Sequence, residues 1–199
     1  MTTTVVLIKN FDEAKQRLAT LLSSRDRRQL AMSNARLALR AAREAGPTLS
    51  VCSSAEAAAL AETVGVTAIR EVASRGQNLA AVTGIEAAVG DGATSVLILS
   101  SDLPLVDTNA LCGLRARASD SNDKVVVAAT AHGRQGTNGL LLRPPLGIDL
   151  VFGEDSLRRF QLEAARRQRR FLVHHDPRLA LDLDDGNDLV RLEQMRASA

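Results

Sequence analysis

Short runs of β-branched residues and leucine alternate along the chain with longer stretches rich in alanine, leucine and arginine. The first run, Val5-Val6-Leu7-Ile8, is unbroken by polar residues and predicts a strand buried on both faces. After a polar loop, Arg25 to Ala45 predicts a helix with Leu30, Leu37 and Ala41 among its apolar positions, stopped by Gly46-Pro47. Leu49 to Cys52 predicts a strand, and Ser54 caps a predicted helix that runs through Thr63 and ends at Gly65. Val66 to Ile69 is a further short strand, followed by a loop containing Gly76 and a helix from Asn78 to Val89. Val96-Leu97-Ile98-Leu99 is the clearest buried strand, and Asp107 starts another helix. Val125 to Ala129 predicts a strand paired with Gly139 to Leu142. Asp155 to Gln168 then reads as helix, Phe171 to Val173 as strand and Asp188 to Met195 as a closing helix.

This alternation predicts an α/β fold, a three-layer sandwich around a mostly parallel central sheet. No Pro/Gly/Ser-rich linker interrupts residues 1–199 and no internal repeat is visible, so a single domain is expected. In open parallel sheets ligands sit beyond the carboxyl ends of the strands, so the loops after the strands are where chemistry is to be sought.

Composition narrows the classes of function. Hydrophobic residues make up 45% and charged residues 24%, as in globular proteins. A net charge of +2 argues against nucleic acid and anionic membranes as partners. Aromatic residues fall to 2%, leaving almost no flat faces on which single-stranded bases could stack. No apolar run reaches the roughly 18–20 residues needed to span a bilayer. Met1-Thr-Thr-Thr-Val lacks a basic stretch and a cleavage site, so no signal peptide and a cytoplasmic location are expected. Cys52 and Cys112 have no metal or redox spacing and read as half-buried thiols.

Three segments carry candidate chemistry. Of 25 basic residues only Lys9, Lys15 and Lys124 are lysine, and two of these fall just after the first strand, beside Arg17. Compact ammonium groups and a planar guanidinium there either grip a triphosphate or decorate a solvated helix start. In Leu99-Ser-Ser-Asp102-Leu-Pro104, the proline keeps Leu103 out of helical geometry and displays Asp102 past the end of a core strand, a position suited to Mg²⁺. If Leu179 to Asp184 is extended, Asp182 and Asp184 share one side and Leu181 and Leu183 face the core; the paired carboxylates then favour a divalent cation. Asp185 or Asn187 reads as the cap of the last helix, with Asp188 as an early-turn acid. Two loops suit anions: Gly136-Thr137-Asn138-Gly139 between strands, and Phe152-Gly153-Glu154-Asp155-Ser156 leading into a helix. His132, His174 and His175 form no metal set, and Arg166-Arg167-Gln-Arg169-Arg170 reads as a solvated helix end without acidic counterweight.

In order and spacing these segments resemble, over nearly the whole chain, the guanylyltransferases that make the GDP-linked precursor of coenzyme F420. The likeness runs through Lys9, Ala14-Lys15-Gln-Arg17-Leu18, Gly76-Gln-Asn78, Ser101-Asp102-Leu-Pro-Leu, Gly136-Thr-Asn, Phe152-Gly-Glu-Asp-Ser156 and Asp182-Leu-Asp184. It implies a Rossmann-like sandwich of the nucleotidyltransferase (nucleotide-diphospho-sugar transferase) type. It also implies transfer of GMP from GTP onto phosphoenolpyruvate, 2-phospho-L-lactate or 3-phospho-D-glycerate with loss of diphosphate. By the same resemblance Asp102, Asp182 and Asp184 would hold Mg²⁺, and Thr137, Gly153 and Ser156 the phospho-acid. Lys9, Lys15, Arg17 and Asn78 would serve the nucleotide, the first three also in catalysis. Expected partners are GTP and a small phosphorylated acid, with a second copy of the chain (homodimer) and the next pathway enzyme as candidates for assembly and product hand-over. Leu7, Gln77 and Phe160 depart from the family's usual Pro, Leu and His, and His132-Gly-Arg134-Gln135 adds a cation beside the acid site. The rival readings are a nucleotidyltransferase of this fold with a molybdopterin or sugar-phosphate acceptor, whose glycine-rich first loop is absent between Ile8 and Arg17, and a non-catalytic nucleotide sensor.

Overall fold

In the computed structural model, which describes residues 1–71, 76–118, 124–131, 133 and 135–197, the apolar runs form one seven-stranded sheet. Its strands are β1 (Thr2–Ile8), β2 (Thr48–Cys52), β3 (Thr67–Arg70), β4 (Ser95–Ser100), β5 (Val125–Thr130), β6 (Thr137–Arg143) and β7 (Arg170–His174). Their order is β3-β2-β1-β4-β6-β5-β7. Only β6 pairs antiparallel with its neighbours; the other pairings are parallel. The connections are α1 (Ser24–Ala45), α2 (Ala55–Thr63), α3 (Gln77–Gly90), α4 (Thr108–Ala116), α5 (Ser156–Arg166), the short α6 (Pro177–Ala180) and α7 (Gly186–Ala197).

Side chains alternate across the strands and divide the interior into two cores. Val6, Ile8, Leu97, Leu99, Val127 and Leu141 pack with α1, α2 and α4 on one face. Val5, Leu7, Val96, Ile98, Val126 and Leu140 pack with α3 and α5 on the other. The expected three layers and mostly parallel sheet are therefore present. The stripe that α1 buries is Ala31, Ala35, Ala38 and Ala42, at helical spacing, while Leu37 of the expected set is exposed. On the opposite face α3 lies so close to β1 that a Cβ at Gly84 would stand 2.3 Å from the Val5 side chain. That contact fixes the helix whose first residues border the site described below.

Two expectations need correction. The arginine run after α5 is counterbalanced: Arg166 and Arg167 donate to Glu163 at 2.7 and 2.9 Å, and both reach Asp149. Arg169 is buried, donating to the carbonyls of Pro144 (2.6 Å) and Leu146. One acid lies a turn back on the helix and the other in a distant loop, so only the folded chain brings them together. The two thiols also differ, Cys52 being buried in the sheet and Cys112 exposed on α4. No helix among the described residues is long and apolar enough to cross a membrane.

Candidate active site

The strand order reverses direction between β1 and β4, the first strands to run outward to either side. Such a switch point leaves a crevice outside the carboxyl ends of the strands. A cleft of about 440 Å³ opens there. It crosses four adjacent strand ends: Glu71 follows β3, Ser53 follows β2, Lys9 follows β1, and Ser101 and Asp102 follow β4. Glu13, Lys15, Arg17, Gly76, Gln77 and Asp184 also line it.

The segment after β1 turns through two single-turn helices, Phe11–Glu13 and Gln16–Leu18. Between them Lys15 takes a left-handed conformation (φ 58°), uncommon for a side chain with a Cβ. Its side chain is only 4% exposed, and its ammonium donates to Asp102 Oδ2 at 3.1 Å. Ser100 Oγ donates to Asp102 Oδ1 at 2.6 Å. Burial alone would raise the Asp102 carboxyl; the Lys15 charge, the Ser100 hydroxyl and the more distant Lys9 outweigh it and hold the group below its ordinary range. Asp102 is thus an anion held in place from both sides.

Asp184 reaches the same cleft from the far end of the sequence. Asp176 Oδ1 accepts from the Arg178 amide to cap α6. Arg178 bridges both oxygens of Asp107, the cap of α4, to Asp176. The Leu183 amide donates to the Asp102 carbonyl at 3.2 Å, which lays the segment after α6 beside the β4 loop. Asp185 caps α7 as expected, through Asn187 and Asp188 amides. Asp188 is buried and accepts in return from the amides of Asp184 and Asp185, both at 2.9 Å. Arg17 Nη1 donates to Asp184 Oδ2 at 3.0 Å. The reading of Leu179 to Asp184 as one extended run is corrected: Leu179 and Ala180 belong to α6, and only the stretch after them is non-helical. Leu181 and Leu183 are buried, but in a satellite core with Leu192 of α7 rather than against the sheet.

Asp182 lies outside the cleft lining. Its Oδ1 faces Asn138 Nδ2 at 3.4 Å, and the same Asn138 amide donates to the carbonyls of Leu179 and Ala180 at 3.0 and 3.3 Å. No group of three or more His, Cys, Asp or Glu side chains among the described residues is gathered closely enough to cage a metal. Asp102 and Asp184 nevertheless present hard oxygen donors to one cleft, each side chain about 35% exposed. Two carboxylates completed by substrate phosphates and water are what Mg²⁺ commonly accepts, so the residues present fit that ion.

Thr137, Gly153 and Ser156 come together in a second cluster, beside the cleft lining rather than in it. Ser156 Oγ donates to Thr137 Oγ1 at 3.2 Å, and the Ser156 amide donates to the Gly153 carbonyl at 3.2 Å. Because β6 runs antiparallel, its first residue lies at the edge where the parallel strands end, Thr137 pairing with Thr130 and Gly139 with Leu99. The strand expected from Gly139 therefore begins two residues earlier, and Thr137 and Asn138 are strand residues rather than the connecting loop expected. Gly153 has φ 120°, a conformation open to glycine at no cost. Asn78 is engaged by the backbone of this second cluster: its Oδ1 accepts from the Phe152 amide at 2.8 Å and its Nδ2 donates to the Phe152 carbonyl at 3.5 Å. Its neighbour Gln77 borders the cleft. Phe160 is fully buried, edge-on to Phe152 with ring centroids 5.0 Å apart, and supports the same loop from below. His132 and Arg134 lie outside the described residues; His174 closes β7, half-buried, and His175 is exposed.

Four contributors were not singled out from the sequence. Ser100 and Asn138 stood next to residues that were, in Ser100-Ser-Asp102 and Thr137-Asn138, and Asp188 was read only as a dipole acid. Glu71 had the one available signal, its place directly after a strand.

The family model described as "Guanylyl transferase CofC like" matches residues 2–195. A phosphoenolpyruvate guanylyltransferase of Conexibacter woesei is 35% identical over 202 aligned residues, spanning all of this chain and 90% of that protein. One of Rubrobacter xylanophilus is 35% identical over 191 residues, spanning 95% and 92% respectively. Among solved structures, a Desulfovibrio desulfuricans G20 protein described as a nucleotide-diphospho-sugar transferase superposes with a TM-score of 0.76 over 98% of this chain and 87% of its own. At 15% identity that likeness speaks for the fold alone.

Proposed function

The chain belongs to the CofC-like guanylyl transferase family and is a guanylyltransferase of coenzyme F420 biosynthesis, and on that premise we propose that it transfers GMP from GTP to phosphoenolpyruvate. The acceptor is taken from the relatives, which carry phosphoenolpyruvate in their names at up to 35% identity. The observation that carries the donor side is the gathering of Lys9, Lys15 and Arg17 with Asp102 and Asp184 in one cleft at the switch point of the sheet.

The reaction joins an oxygen of the acceptor phosphate to the α-phosphorus of GTP. The bond from that phosphorus to the bridging oxygen breaks, and diphosphate leaves with the electron pair. The acceptor oxygen is already ionised, so no strong general base is needed and catalysis rests on positioning and charge neutralisation. Lys9, Lys15 and Arg17 supply positive charge to the phosphates from a segment anchored at the end of β1. Thr137, Gly153 and Ser156 orient the phospho-acid from the neighbouring cluster, with Asn78 holding the Phe152 backbone that carries Gly153. Asp102 and Asp184, with Asp182 of the same segment, would hold Mg²⁺, which when bound supplies further neutralisation of phosphate charge. The protein works in the cytoplasm, and a second copy of the chain and the enzyme that takes the product are its candidate protein partners.

The test is diphosphate release from GTP with phosphoenolpyruvate, 2-phospho-L-lactate and 3-phospho-D-glycerate in turn, the unstable product trapped by the next enzyme of the pathway. Release is expected with phosphoenolpyruvate and Mg²⁺ and is expected to vanish on chelation. Faster release with either other acid would reassign the acceptor; equal release from ATP would overturn the guanylyl reading.

A further inference from the structure

The cations of the cleft lining gather at one end. Lys9, Lys15 and Arg17 all follow β1, on the segment that also carries Glu13, and Lys15 and Arg17 pair with Asp102 and Asp184. Two strands away, at the end of β3, the lining includes Glu71 and, at the start of α3, Gln77. From β4 to β3 is three strand spacings, roughly 14 Å. A triphosphate placed among the cations therefore carries its base toward Glu71. The reverse orientation sets the phosphates beside Glu71 and away from all three lining cations, and is disfavoured.

Glu71 is well held for such a role. Its amide donates to the Cys52 carbonyl at 3.0 Å, which extends the β2–β3 pairing by one residue and fixes the backbone. The side chain is half-buried, and among the described residues no hydrogen bond or ion pair engages its carboxylate. An ionised carboxylate only accepts hydrogen bonds, and its two oxygens suit two adjacent donors. Guanine offers such a pair in N1–H and the 2-amino group. Adenine sets a ring-nitrogen acceptor and a C–H at the same two positions, so the same carboxylate repels it.

We infer that Glu71 is the specificity-determining residue of the nucleotide site, accepting from N1–H and the 2-amino group of guanine, while the Gln77 amide stands within the same end of the cleft to donate to the oxygen at position 6. This inference rests on the guanylyl reading above and deepens it.

Equilibrium binding of GTP, ITP and ATP to the intact protein and to Glu71→Gln tests it, with thermal melting alongside. ITP lacks only the 2-amino group. The wild-type protein is expected to bind GTP more tightly than ITP or ATP. A hydrogen bond to a charged group corresponds to roughly 10- to 100-fold in affinity, and Glu71→Gln should lose about that much for GTP, less for ITP and none for ATP. Glu71→Asp, which keeps the charge, should retain the order of preference. Equal losses for GTP and ITP with a lowered melting point would make Glu71 a structural residue and overturn the inference while leaving the guanylyl reading intact. A wild-type protein that binds ATP as tightly as GTP would overturn both.

Discussion

Lys15 concentrates the physical demands of the site on one residue. A left-handed backbone costs of order 1–3 kcal/mol for a residue with a Cβ, and it persists only where surroundings enforce it. Here the enforcement is the nearly buried ammonium on Asp102. Removing one member of a buried pair leaves the other charge uncompensated, whereas removing both does not. Lys15→Met should therefore lower the melting temperature, and Lys15→Met combined with Asp102→Asn should recover part of the loss. Turnover should be absent from both, because the phosphates lose the cation in either case. Calorimetry and diphosphate release on the same pair of variants check this; recovered turnover in the double variant would remove Lys15 from catalysis. Arg17 on Asp184 is a weaker case, since its side chain is 69% exposed and solvent screens the pair.

At the level of elements, α5 shows how a site loop is kept in register. Glu163 lies on its inner side and accepts from Arg166, Arg167 and the Asp149 amide, tying the helix to the loop that follows β6. The Arg166 hydrogen bond, with those of Arg167 and the Asp149 amide, overcomes burial and holds the Glu163 carboxyl at about 2, below its ordinary 4.5. A carboxyl lowered in the folded state contributes stability that is complete above about 4.5 and lost as pH falls toward about 2. The melting-temperature gap between wild type and Glu163→Gln should be constant above pH 4.5 and close as pH falls to 2, read by calorimetry across that range. Glu163 stands three and four residues before these arginines, but the Asp149 contact leaves no hint in sequence, because Asp149 is 17 residues from Arg166 and meets it only when β6, α5 and the intervening loop have packed. By contrast, Ser54 and Asp107 were readable as caps, since the groups they satisfy lie three residues away.

Over the whole molecule, the same contrast decides what was legible. Lys9 and Asp102 could be placed because Lys9 directly follows one apolar run and Asp102 stands three residues past another, and a parallel strand delivers whatever follows it to the functional edge. Thr137 and Asn138 were misplaced into a loop because β6 runs the other way and brings its first residues to that edge; strand direction depends on pairing with β4 and β5, which the local pattern does not carry. Asn138 in turn joins the sheet to the distant segment bearing Asp182 and Asp184. Asn138→Ala should leave the Leu179 and Ala180 carbonyls short of a partner at a cost of about 1–3 kcal/mol. For a chain of this size that is roughly 2–4 °C of melting temperature per kcal/mol. The Leu183 amide, which donates to the Asp102 carbonyl, should exchange its hydrogen faster and turnover should fall with it. Unchanged exchange at Leu183 would show that the Arg178 bridge to Asp107 holds the segment by itself.

The pairing of Lys15 with Asp102 and of Arg17 with Asp184 gives each of these two carboxylates its own counter-ion in the resting cleft. A triphosphate bound as proposed would bring several negative charges to the same two cations, which cannot serve both sets of oxygens at full strength. Binding is thus an exchange of partners rather than a simple addition. Asp102 and Asp184 would give up positive charge as the phosphates take it, and two uncompensated carboxylates would then favour a divalent cation beside them. The resting pairs set a threshold for that exchange: an anion too weakly charged to draw Lys15 from Asp102 leaves the cleft closed on itself.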